Sequence, residues 1–523
     1  MDNFQTFILL MFAAAILVGI AQKIHISYPI TLVLGGAAIG FSPYKHAIPF
    51  DPNLILVIVL PPLLYYAAFG ISFREFKHNW RDILSLSLGL VVFTTFVIGV
   101  IFKWMFPEFP WALAFAFGAI VSPPDAIATT TILKRFAISN RLLTILEGES
   151  LVNDASALVL YRLAVAALLS GLFSFVDGSI EFIKIVSGGV LVGAILGYLT
   201  QRFSRRYLEP VAGVVFSFTI PYITYILADS LGVSGVLAVV VNGLIGAKVL
   251  IRHYSSLRRI LGYASWDIFI ILMNCFVFIL IGLQLRELTS VMTVKQMLLY
   301  TGYAALITVA IIGIRLIWVY AKSFFFYFKA QKSPKSYIIC PQILREAALI
   351  GWAGMRGIVS LACALALPFT LPNGMPLEGR SEVIFITFMV ILFTLLVPGL
   401  TLSFVIQRLK IHHQPEQQTA LKARQELAKV AEDTIHQLHA SKMINEEEFD
   451  FLIAHLSLQL QAVTALVENK LQNLELARKI VIQEKRKKLF EIWERLEIDD
   501  KLLTQLEHEL DLDETHIARA ELN

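Results

Sequence analysis

The sequence predicts an all-α membrane protein. About thirteen spanning helices form two inverted six-helix repeats with interrupted crossing helices, and a helical cytoplasmic tail follows them. Three observations predict this. Only 16% of the 523 residues are charged and 57% are hydrophobic. A soluble domain carries about 25% charged residues. Apolar runs of spanning length recur as far as residue 410 and then stop. Lys and Arg crowd into every second connecting loop. This composition excludes a disordered chain, a nucleic-acid-binding module and an ordinary soluble enzyme.

A spanning helix needs about 20 mostly apolar residues. The runs that qualify are 4–24, 28–43, 53–70, 82–105, 110–133, 142–168, 180–202, 207–228, 232–250, 261–285, 296–323, 341–369 and 381–408. The second is short, and the fifth and twelfth are interrupted. The first begins at Asn3 without a basic leader or a small-residue cleavage pattern, so it reads as a retained helix. If the seventh run separates two six-helix units, the interrupted runs hold the fifth place in each. Interrupted segments in corresponding positions point to the binding site of a transporter with inverted repeats.

Lys and Arg set orientation. The odd-numbered loops carry about nineteen, among them Arg74, Lys77, Lys134, Arg135, Arg141, Arg205, Arg258 and Lys332; the even-numbered loops carry about six, among them Lys45, Lys103 and Arg286. The N-terminus is therefore expected outside and the tail in the cytoplasm. Residues 1–410 form the membrane domain, with about 30 basic and 18 acidic residues, and residues 411–523 form the tail, with about 14 basic and 22 acidic. The net charge of +4 is thus the sum of a basic membrane region and an acidic tail. Within the tail, Leu452, Leu456, Leu460 and Val463 recur at helical spacing, and Asn445 with Glu448 resembles a capping box. Amphipathic helices that pack on each other or on a cytoplasmic regulator are expected there. Cys275, Cys340 and Cys363 lie in or beside apolar runs and read as small buried hydrophobes.

A charge inside a spanning helix costs about 2.5–3.5 kcal/mol on insertion scales, so each one is a functional hypothesis. The densest cluster is Glu147-Gly148-Glu149-Ser150-Leu151-Val152-Asn153-Asp154 in the sixth run. Helical spacing puts Glu149 with Asn153 and Ser150 with Asp154 on nearly one face. A hydroxyl, an amide oxygen and a carboxylate along one wall are hard donors suited to an alkali cation, held at Asp154 and Ser150. A polar helix–helix contact is the plainer alternative.

In the fifth run, Ser122-Pro123-Pro124-Asp125 removes two N–H donors and bares carbonyls near Val121 to Pro124. Irregular backbone at membrane depth persists only where it is buried or lines a wet cavity. Asp125 then stands where a new half-helix begins and can cap it. In the twelfth run, Gly351, Gly354 and Gly357 loosen the helix around Arg356. Arg356 needs a buried anion, with Glu149 the first choice and Glu147 the second. Arg315, in the eleventh run, needs one too. Arg162 and Asp267 lie nearer helix ends and read as interfacial. Gly189, Gly193 and Gly197 allow close helix approach, within the chain or between chains.

With these residues in place, the chain resembles the sodium/proton exchanger family. Leu60-Pro61-Pro62-Leu63-Leu64, Ser122-Pro123-Pro124-Asp125, Gly148-Glu149-Ser150-Leu151-Val152-Asn153-Asp154 and Gly354-Met355-Arg356-Gly357 match in order, the third being highly specific. The resemblance implies a thirteen-helix fold, a homodimer, and a core domain that moves against a dimerisation domain in the plasma membrane, here a bacterial inner membrane. It implies that Asp154 binds either proton or cation, that Ser150 and the Asp125–Pro124 region complete the site, and that Glu149 forms a structural ion pair with a core arginine, Arg356 or Arg315. The Asn153-Asp154 pair implies electroneutral exchange. The cargo is monovalent cations and protons, with no cofactor beyond the transported ions and no nucleic-acid partner.

Two departures stand out. Many relatives carry an acid shortly after Leu-Pro-Pro, where this chain has Tyr65-Tyr66. A coordinating or proton-relaying acid is thus expected to be missing. Pro124 precedes Asp125 where relatives have Thr or Val, which bears on Na+ against K+ preference. A cation channel, or a transport-dead sensor signalling through its tail, is the alternative class. A conductance that survives Asp154→Asn would mark the channel. No nucleophile–base pair, His cluster or phosphate loop supports an enzyme.

Overall fold

The computed structural model describes residues 2–24, 28–41, 57–133, 136, 138–171, 175–290, 292–331, 341–410, 417–467, 472–495, 506, 507 and 510. Cys340, Lys45, Lys134, Arg135 and Lys332 lie outside the described residues. The chain divides into two compact units, Met1–His413 and Gln414–Asn523.

In the first unit every described element except one isolated bridge, Thr370 to Pro376, is helical. Helices α1 (Asp2–Lys23), α2 (Tyr28–Gly40) and α3 (Leu60–Gly70) come first. Helix α4 (Trp80–Met105) follows, then α5 (Trp111–Val121), α6 (Ala126–Leu133) and α7 (Asn140–Ser170). Helices α8 (Phe175–Tyr207), α9 (Pro210–Ser230), α10 (Gly235–His253), α11 (Ser256–Ser290) and α12 (Val294–Gln331) continue the bundle. It closes with α13 (Pro341–Trp352), α14 (Ile358–Leu365) and α15 (Arg380–Leu409).

Among the described residues, seven helices are long and apolar enough to cross a membrane. This is fewer than the thirteen expected, and local chemistry explains part of the difference. The fifth run breaks at Pro123-Pro124 into α5 and α6, where two N–H donors are lost. The twelfth breaks at the Gly354–Gly357 stretch into α13 and α14. Helices α1, α2 and α10 are apolar but shorter. Exposed large hydrophobics such as Phe96, Leu191, Val215 and Leu306 cover the outside of the unit. This is the surface that a lipid-facing bundle needs.

Helix α7 runs through the middle of the unit. Ser139 caps its start by accepting the Leu142 N–H, and Gly171, left-handed at φ 70°, ends it. On its face lie Glu149, Asn153 and Asp154, all buried. Helix α4 departs from regularity beside it: Ser85–Leu90 is π-helical. The Ser87 carbonyl accepts a 2.6 Å hydrogen bond from the Ser156 hydroxyl on α7. Short π segments inside α-helices collect at functional sites.

The glycine ladder of α8 packs within the chain. A Cβ on Gly189 or Gly193 would collide with the backbone of Ser234 or Ala238, at the start of α10.

The second unit holds α16 (Gln417–Ala440), α17 (Glu446–Val467) and α18 (Gln472–Glu494). The capping box is formed: Glu448 N–H donates to Asn445 Oδ1 at 2.8 Å, and Asn445 N–H to Glu448 Oε2 at 2.9 Å.

Candidate functional site

The two helix breaks meet. Asp125 N–H donates to the Met355 carbonyl at 2.6 Å, and the Thr129 hydroxyl donates to the Ala353 carbonyl at 2.7 Å. Each break therefore satisfies bared backbone groups of the other, as buried backbone requires.

Side chains complete the junction. Arg356 lies at the C-terminal end of α5, where its Nε donates to Val121 O at 3.1 Å and its Nη2 to Ser122 O at 3.3 Å. Its Nη1 donates to Gly354 O at 2.6 Å, and its own N–H is held by Thr394 Oγ1 at 3.1 Å. Arg315 serves the end of α13 in the same way, donating from Nε to Ile350 O at 2.9 Å. A cation at a helix C-terminus also complements the negative end of the dipole. Asn153 Nδ2 donates to Pro124 O at 3.1 Å, which takes one of the carbonyls bared by the double proline.

The remaining nitrogens of Arg315 grip Glu149. Nη1 donates to Oε1, and Nη2 to Oε2 at 2.7 Å, a bidentate pair with both side chains buried. This corrects the first-choice partner: Arg356 binds backbone carbonyls and makes no ion pair with Glu149. The sequence shows two arginines in need of an anion but no distances. The planar fork of Arg356 is used up on the carbonyls that Pro123-Pro124 and the glycine stretch expose.

Asp125 was expected to cap its own half-helix. Its carboxylate lies against Gly357, the residue immediately before α14, so closely that a Cβ there would overlap Asp125 Oδ2. A carboxylate at a helix N-terminus is favourable.

A cavity of about 820 Å³ opens onto this junction, with Asp125, Ser150 and Asp154 in its wall. Pro124 lies behind the wall, and Asn153 is fully buried. The cavity lining carries five carboxylates, from Glu75, Asp125, Glu147, Asp154 and Asp267, and no Lys, Arg or His among the described residues. Glu147 lines the cavity, while Arg356 is held by the carbonyls of Val121, Ser122 and Gly354.

Asp267 belongs to the same cavity. Expected near the membrane interface, it lines the cavity and accepts a hydrogen bond from the Tyr66 hydroxyl. The Tyr66 ring stacks on Trp266, with centroids 5.6 Å apart and planes 7° apart. The position after Leu-Pro-Pro thus lacks its own acid but holds one carried by α11. Nothing near Asp267 in the sequence marks it; only the approach of α3 to α11 does. No group of three or more His, Cys, Asp or Glu with metal-binding geometry occurs among the described residues.

A helical membrane bundle in which two broken helices cross beside a buried carboxylate is the fold of an ion-coupled transporter. The chain belongs to the sodium/hydrogen exchanger family, whose transmembrane region matches residues 8–408. It is 32% identical to the uncharacterized Na+/H+ exchanger YjcE of Escherichia coli, over 98% of each chain. It is 33% identical to a sodium, potassium, lithium and rubidium/H+ antiporter of Bacillus pumilus, over 73% of this chain and 58% of that one. The low-affinity Na+/H+ antiporter NhaS1 of Synechocystis is 31% identical, over 87% of this chain and 84% of that one. In fold, the chain is similar to the sodium proton antiporter MjNhaP1 of Methanocaldococcus jannaschii, with a TM-score of 0.61 and 20% identity, over 78% of this chain and 99% of that one.

Proposed function

We propose that this membrane protein exchanges a monovalent cation for a proton by alternating access, with the two ligands competing for Asp154. Na+ is the first substrate, and Li+ or K+ are further ones. The observation that carries the reading is the cavity: Asp154 stands in its wall with Asp125 and Ser150, and no basic side chain lines it among the described residues. Such a lining concentrates cations and leaves no internal counter-charge to neutralise the carboxylates. One carboxylate holds a proton or a cation, so opening the site to one side at a time is enough for antiport.

Asn153 brings no charge, which supports a one-for-one, electroneutral exchange. The lining extends from Asp154 to Ser72, Glu75 and Asn140, at the helix ends of lysine- and arginine-rich loops. By the charge asymmetry this is the cytoplasmic side, so the cavity faces inward. The protein then sits in the plasma membrane with its N-terminus outside and the tail in the cytoplasm, works as a homodimer, and serves intracellular pH and cation balance. The breadth of ions in the name of the Bacillus pumilus relative supports Li+ and K+ as substrates beside Na+.

The test is exchange in proteoliposomes, read by a pH dye while Na+, Li+ or K+ is added across a range of pH. Dequenching by at least one of these ions supports the reading. A large conductance without coupled proton movement supports the channel alternative.

A further inference from the structure

Helix α14 carries a hydroxyl that the exchange reading does not use. Ser360 is 1% exposed, and its Oγ has no hydrogen-bond partner among the described residues, although it lines the cavity. A serine in a helix normally returns its hydroxyl to the carbonyl three or four residues back. For Ser360 those residues are Arg356 and Gly357, at the break itself, and neither carbonyl takes the hydroxyl. A buried hydroxyl left without a partner is costly, and such groups call for an explanation.

The neighbours on α14 supply one. Positions three apart share a helix face. Gly357 abuts the Asp125 carboxylate. Cys363 is buried, and Ala362 beside it lines the same cavity as Asp154. Ser360 lies between Gly357 and Cys363 on that face. The hydroxyl thus stands one helical step from the glycine that meets the Asp125 carboxylate, on a helix that lines the same cavity as Asp154.

We propose that Ser360 Oγ is a further ligand of the transported alkali cation. A neutral hard oxygen suits such a cation. It would give the site one donor from the second broken helix, beside Asp154 and Ser150 on α7 and Asp125 at the break of the first. This rests on the exchange reading above and adds the ligand set to it.

The experiment measures the cation concentration for half-maximal effect in two ways: Na+-dependent thermal stabilisation of the purified full chain, and Na+/H+ exchange in proteoliposomes. Ser360→Ala is expected to raise the half-effect concentration about fivefold or more in both, the scale of one lost polar interaction. The maximal exchange rate should stay within about twofold. Ser360→Thr, which keeps the hydroxyl, should restore wild-type values. Ser360→Cys keeps the volume and removes the hard oxygen, so it should behave as Ala and decides the matter if Ala fails to fold. Unchanged half-effect concentrations in Ala or Cys overturn the proposal. So does a fall in maximal rate at unchanged half-effect concentration, which would place Ser360 in the conformational step. Asp154→Asn, run in parallel, separates the two levels: exchange retained there defeats the underlying reading, whatever Ser360 does.

Discussion

Arg315 binds both carboxylate oxygens of Glu149 while its Nε holds the Ile350 carbonyl at the end of a broken helix. One side chain thus ties α12 to α7 and to α13. Both partners are buried, so neither charge has water as a substitute. Removing one partner of such a pair leaves an uncompensated charge and costs about 3–5 kcal/mol. Glu149→Ala and Arg315→Ala should each lower stability by that order, measured as thermal inactivation of the purified protein. Arg356→Ala should leave the Glu149 pair intact, so adding it to Glu149→Ala should lower stability further. A Glu149→Ala protein as stable as wild type would show that the pair does not brace the fold.

Gly357 gives the second prediction. Its missing side chain is the space into which the Asp125 carboxylate fits. Gly357→Ala should displace Asp125 and weaken cation affinity in exchange assays by about tenfold, a shift of about 1.4 kcal/mol. The effect should fall on half-saturation more than on membrane insertion. Wild-type half-saturation in a folded Gly357→Ala protein would mean that the Asp125 carboxylate is not needed where it stands.

The third prediction concerns Tyr66 and Asp267. A carboxylate in the cavity wall attracts cations whether or not it binds them directly. Asp267→Asn should raise the Na+ concentration for half-maximal exchange, and more at low ionic strength, because screening weakens the effect of a distant charge. Tyr66→Phe removes the hydrogen bond but keeps the ring on Trp266 and the charge on Asp267, and should leave half-maximal exchange near the wild-type value. Equal half-saturation for wild type and Asp267→Asn at low salt would contradict this role.

Electroneutrality is the fourth. With Asn153 uncharged, an imposed Na+ gradient should drive proton movement without current in proteoliposomes on a supported membrane. A clear transient current would contradict one-for-one exchange.

The all-helical character and the two interruptions are readable in the sequence because hydropathy, prolines and glycines act locally. Pro123-Pro124 removes two donors wherever it is placed, so the break between α5 and α6 follows from composition. The groups that repair the breaks are another matter. Arg315 and Arg356 both sit in apolar helices, and their identity alone does not say which one meets Glu149 and which meets Val121 and Ser122. Long-range packing decides that. The same holds for Asp267, whose place in the cavity depends on the approach of α3 to α11, and for Ser360, whose unpartnered hydroxyl shows only once α14 is packed at the break. The π-helical turn at Ser85–Leu90 is marked only by two serines and a glycine in an apolar run.

The central claim is competition at Asp154. The most direct measurement is dye dequenching in proteoliposomes with Na+, Li+ and K+ across pH, comparing wild type with Asp154→Asn and Asp154→Glu. Asp154→Asn should insert and fold but show no cation-driven proton movement with any ion. Asp154→Glu should keep partial exchange with a displaced pH profile. Wild-type exchange by Asp154→Asn would contradict the account.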